Sequence, residues 1–81
     1  MFVLYDKTRK GFVTGYLTKG QLHGIAKSAI HTKPFQSKKS AKEFVGQILG
    51  NIKNLTDKES YKQEILDYSD ECFAICSRSK K

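Results

Sequence analysis

Hydrophobic and polar residues change rhythm several times along this chain, and each change marks an element. Phe2-Val3-Leu4-Tyr5 is a compact run of strand formers. Asp6-Lys7-Thr8-Arg9-Lys10-Gly11 reads as a polar turn, and Phe12 to Thr18 resumes the strand pattern. The two runs predict a β-hairpin. Lys19 to Lys33 is ambiguous between loop, short helical turn and irregular strand, because Gly20 and Gly24 interrupt it. Pro34 pushes Lys33 toward extended backbone, and the reading places a third short strand near residues 30–36.

From residue 38 the period lengthens. Ala41, Phe44, Val45, Ile48, Leu49, Ile52 and Leu55 recur at helical spacing and form one apolar stripe. Two caps compete at its start: Ser37, or Ser40 with Glu43 as a capping box. Gly50-Asn51 is a candidate helix end. A second helix is expected from Thr56, with Glu59 completing another capping box and Tyr61, Ile65 and Tyr68 facing inward. Glu71 to Ser77 alternates Phe73 and Ile75 against Cys72, Ala74 and Cys76, the pattern of a last strand. The order β-β-(β)-α-α-β predicts an α+β fold: a small antiparallel sheet, made of the N-terminal hairpin plus the C-terminal strand, packed by one or two helices. The expected organisation is a single domain over 1–77 and a basic flexible tail over 78–81.

Charge changes this picture most. The chain has 81 residues and a formal net charge of +7. Residues 1–42 hold nine Lys/Arg against one acid, Asp6, whereas residues 43–77 hold three Lys against seven acids. A basic half suits nucleic acid. An acidic half suits a basic protein partner or the interface of a homo-oligomer. No apolar run is long enough for a membrane span. Met1 to Asp6 lacks the charged and apolar regions of a signal peptide, so the expected location is the cytoplasm. There, Cys72 and Cys76 are expected as thiols. Neither CxxC nor HxxxH spacing is present, so no metal or other cofactor is expected.

The best helix opens with Ser37-Lys38-Lys39-Ser40-Ala41-Lys42. A helix N-terminus carries a positive partial charge, so each exposed lysine there costs roughly 0.3–1 kcal/mol. Misplaced charge of this kind points to an anion at that end, most economically a phosphate. Lys7, Arg9 and Lys10 form a second expected contact, an exposed basic finger on the hairpin loop. Of the aromatics, Tyr16 is the one expected to reach solvent and stack a base, because its hydroxyl tolerates the surface. Catalysis has less support: His23 and His31, with Lys27, are the nuclease candidates, and no Ser lies in a Gly-x-Ser-x-Gly elbow.

Two resemblances bear on this reading. Ser37 to Lys42 is similar to the S-K-K-x-A-K start of the last helix in double-stranded-RNA-binding domains, where the lysines grip phosphates; the resemblance implies that role for Lys38, Lys39 and Lys42. The chain lacks that domain's preceding helix, and about 30 residues follow the motif where the family ends, so the likeness is local. Phe35 to Phe44, read as F-x-S-K-K-x-A-x-x-F after an N-terminal hairpin, resembles a strand-to-helix join of small phage-encoded accessory proteins. That resemblance implies a counter-defence role: inhibiting a host enzyme such as a toxin-system endoribonuclease. The expectation is a non-enzymatic RNA-binding protein that contacts such a host ribonuclease toxin through RNA and protein. The alternative is a protein-only inhibitor or adaptor using its helix face or an exposed edge strand.

Overall fold

The computed structural model describes residues 1–78. The strands are β1 (Phe2–Asp6), β2 (Gly11–Val13), β3 (Ile25–Ala26) and β4 (Phe73–Ser77), and the helices are α1 (Lys38–Lys53) and α2 (Gln63–Leu66). Single 3-10 turns occupy Ala29–His31, Lys58–Ser60 and Asp70–Cys72. The strands form one antiparallel sheet in the order β3-β2-β1-β4, so the first strand is internal and the last strand pairs with it at one edge. This is the expected α+β architecture, a four-stranded sheet packed by α1.

The hairpin forms where the polar turn lies. Asp6 pairs with Gly11, and the Asp6 carboxylate accepts the Arg9 backbone N–H at 2.9 Å, closing the loop as aspartate does in turns. Strand alternation then sends Leu4, Val13 and Phe73 to one face. There they meet Ala41, Val45, Ile48 and Ile52 of α1, together with Leu55 and Tyr68. On the other face Tyr5 and Phe12 make an edge-to-face pair with centroids 5.1 Å apart. The apolar stripe of α1 is thus the core, and a truncation such as Ile48→Ala would cost about 2–5 kcal/mol.

Several boundaries differ from the sequence pattern, each for a local reason. β2 stops at Val13 rather than running to Thr18, because Gly15 turns the chain with φ +94°. The third strand is Ile25–Ala26, paired with Phe12 and Val13, and not a strand at 30–36. The 30–36 stretch instead holds the end of a 3-10 turn and one bridge, Phe35 with Phe2. Ser37 wins the competition to cap α1, and the helix passes through Gly50-Asn51 to Lys53. The capping box at Thr56 does not form: its hydroxyl donates to the Gly20 carbonyl at 3.1 Å, and only a 3-10 turn follows. The second helix is reduced to Gln63–Leu66. Arg78, expected in the free tail, continues the ladder by donating its N–H to the Met1 carbonyl at 2.7 Å. The rest of that tail, 79–81, lies outside the described residues.

Candidate functional site

The lysine-rich helix start is built on the Ser37 cap. Ser37 has extended backbone, and its Oγ accepts the Ser40 N–H at 3.1 Å. No acid stands in the first turn, and Lys38, Lys39 and Lys42 are all exposed. Lys38 and Lys42 are one turn apart and share a face. With Val45, Gly46, Leu49, Asp70, Phe73 and Ile75 they line an open groove of about 630 Å³ between α1 and β4. Lys39 follows Lys38 by about 100° around the helix and is not among the lining residues.

The other predicted site residues divide between the two ends of the sheet. Phe35 pairs with Phe2, so α1 starts at the Phe2 end of β1. Tyr16 belongs to the same end: it is 69% exposed, and Lys33 Nζ lies 6.0 Å from its ring centroid. Lys33 in turn donates its N–H to Thr14 at 2.8 Å. Arg78 joins them through Met1, with its Nη1 3.5 Å from the Thr32 carbonyl. The hairpin loop leaves β1 at Asp6, about 13 Å away along the strand. Lys7 and Lys10 are exposed there, but Arg9 is half-buried and donates from Nη1 to the His23 carbonyl at 2.6 Å. Arg9 is therefore a brace, not the fingertip its sequence context suggests. The structure brings Tyr16 to the same end as Lys38, Lys39 and Lys42, and adds Lys33 and Arg78, which the sequence did not single out; it does not bring the hairpin loop to them.

No protein-family model, curated protein or solved structure matches this chain.

The histidines do not form a site together. His31 is exposed at the end of its 3-10 turn, whereas His23 is buried. His23 Nε2 lies 2.8 Å from Asp6 Oδ2, and the same oxygen accepts the Tyr68 hydroxyl at 2.6 Å. Burial alone would raise the Asp6 carboxyl, but the bonds from His23, Tyr68 and the Arg9 N–H outweigh it and hold the group below the usual range. Burial, and then the bond to Asp6, push the Tyr68 phenol above its ordinary value. His23 Nδ1 is buried without a hydrogen-bond partner. With Tyr68 and Phe73 rings each about 5.6 Å from the imidazole, the group is a packed polar knot inside the core. Cys72 and Cys76 are half-buried free thiols. Among the described residues no three His, Cys, Asp or Glu side chains gather to hold a metal ion, and no helix is long and apolar enough to cross a membrane.

Proposed function

We propose that the protein is a non-enzymatic RNA-binding accessory protein of the cytoplasm, and that it acts in phage counter-defence by inhibiting a host endoribonuclease toxin through RNA and protein contacts. The observation that carries the RNA reading is the start of α1: three exposed lysines where an isolated helix would favour acids, with no carboxylate in the first turn to neutralise them. Tyr16 and Lys33 beside that end supply a stacking face and a further cation. Such contacts grip the phosphate backbone and read little sequence. The inhibitor role is supported by the resemblance at 35–44 and by the split of charge between the halves.

The test is a salt titration of binding to a short RNA. Three phosphate contacts give a slope of log affinity against log salt of about −2 on single strands and about −3 on a duplex. Lys38→Glu/Lys39→Glu/Lys42→Glu should abolish binding at moderate salt while the melting temperature is kept. A folded triple variant with wild-type affinity removes this site. The reading as a protein-only inhibitor is favoured by a separate observation, the groove beside β4. Nuclease treatment of an isolated inhibitor–target complex separates the two: dissociation supports RNA bridging, and retention supports direct contact.

A further inference from the structure

β4 is an edge strand, and its outward side is readable from the ladder. Lys7 N–H bonds to the Cys72 carbonyl and Arg78 N–H to the Met1 carbonyl. In an antiparallel pair the hydrogen-bonded positions alternate. Residues 72, 74, 76 and 78 therefore turn their backbone groups toward β1, and Phe73, Ile75 and Ser77 turn theirs outward. The Phe73 N–H is taken by the Asp70 carbonyl. Ile75 and Ser77 each turn one N–H and one C=O outward, and among the described residues no strand lies on that side of β4. Edge strands are commonly blunted by charge or proline; Phe73-Ala74-Ile75-Cys76-Ser77 carries neither.

The groove lies against this open edge. Its floor is apolar, from Val45, Leu49, Phe73 and Ile75, and Gly46 leaves the helix side open, since a Cβ there would meet nothing within 4 Å. α1 starts at the Phe2 end of β1, which is the Ser77 end of β4. Lys38 and Lys42 thus flank the Ile75 end of the groove, and Asp70 closes the other. A strand laid beside β4 would set every second side chain over this floor.

We propose that the groove between β4 and α1 takes up an extended peptide segment of a protein partner, which pairs with β4 as a fifth strand, places alternate aliphatic side chains on Val45, Leu49, Phe73 and Ile75, and sets a carboxylate at Lys38 and Lys42. Charge complementarity chooses this occupant over a second copy of the chain. Two copies meeting through β4 would bring together two molecules of formal charge +7 each, a repulsion that a partner segment carrying a carboxylate does not meet. The proposal stands apart from the RNA reading, although both use Lys38 and Lys42.

The test is selection of a displayed library of 12-residue peptides on the full chain, followed by affinity measurement of the enriched peptides. Enrichment of alternating aliphatic residues next to Asp, Glu or a free C-terminus is expected. C-terminal amidation of the selected peptides then shows whether the carboxylate is terminal or from a side chain. Gly46→Trp should fill the groove and weaken peptide binding at least tenfold, with a melting temperature no lower than wild type and an unchanged RNA salt slope. N-methylation of alternate peptide amides should remove binding, and that readout needs no variant to fold. Peptides that bind Gly46→Trp as tightly as wild type, tolerate every N-methylation or need no carboxylate overturn the proposal, as does a library that enriches nothing. RNA binding lost with Gly46→Trp assigns the groove to RNA, and self-association lost with it assigns the groove to a second copy; either also overturns the proposal.

Discussion

Replacing Tyr68 by Phe deletes one oxygen from the middle of the core and tests how the fold carries a buried charge. That oxygen donates to Asp6 Oδ2 at 2.6 Å, and Asp6 is fully buried. The ring itself stays packed against His23 and Phe73, with centroids 5.6 and 5.4 Å away. The loss is therefore one hydrogen bond to a carboxylate, worth about 1.5–3 kcal/mol when the acceptor is charged. For a domain of this size, about 2 kcal/mol lowers the melting temperature by about 8–16 °C. The pH dependence has a definite sign. The Asp6 carboxyl is depressed in the fold, so its ionic contribution is present above the unfolded value of about 3.9 and is lost as pH falls through the folded value. Tyr68→Phe removes one cause of that depression. The unfolding free energies of wild type and variant should lie apart at pH 7 and converge below about pH 4. Urea unfolding followed by circular dichroism at pH 7 and pH 3 reads both quantities. A loss under about 0.5 kcal/mol at pH 7, or a gap that does not narrow with acid, would refute a charge-assisted bond in the core.

Gly15→Ala should destabilise by at least about 2 kcal/mol, because Gly15 sits at φ +94° and a Cβ there would stand 2.6 Å from Lys33 Cβ; thermal unfolding checks it. Gly50→Ala should raise stability by about 0.8–1 kcal/mol, since Gly50 lies inside α1 and its Cβ would meet nothing within 4 Å; an unchanged or lower melting temperature contradicts this. Lys39→Glu should stabilise α1 by about 0.5–1 kcal/mol through the helix dipole while weakening RNA binding, a trade read by pairing a melt with an RNA titration. Loss of stability in that variant would show that Lys39 serves the fold.

What could be read in advance depended on how far apart in sequence the deciding contacts lie. α1 was legible because Ala41 to Ile52 carry their burial as a local period. The hairpin was legible because Asp6 to Gly11 contains its own turn chemistry. β3 was not: two residues have no periodicity, and Ile25–Ala26 become a strand because the edge of β2 accepts them. The stretch after Leu55 misled for a related reason. Thr56 has the local look of a cap, but its hydroxyl is claimed by Gly20, 36 positions earlier. The polar knot was the least visible feature. Asp6, His23 and Tyr68 are joined over separations of 17 and 62 residues, and Asp6 carries only the signature of a turn residue. For the candidate site, the exposure of Lys39 followed from its place opposite the apolar stripe, whereas Lys38 and Lys42 lie on the stripe's border beside Val45 and Leu49. The separation of these lysines from Lys7 and Lys10 was not legible, because it is set by which end of β1 receives Phe35.

The geometry of α1 also limits how its lysines can be shared. Lys38 and Lys42 face the groove with Phe73 and Ile75, whereas Lys39 is turned away from it around the helix. A phosphate backbone running over the helix start can use all three. A carboxylate on a peptide beside β4 can use only the two that face the groove. If both ligands bind as proposed, each would draw on the same two cations, and saturating one would remove most of the electrostatic attraction for the other. Lys39 alone would then report RNA without reporting peptide. An inhibitor arranged in this way would exchange RNA for a protein segment at one surface, and the dependence of each affinity on the other ligand's concentration would be reciprocal.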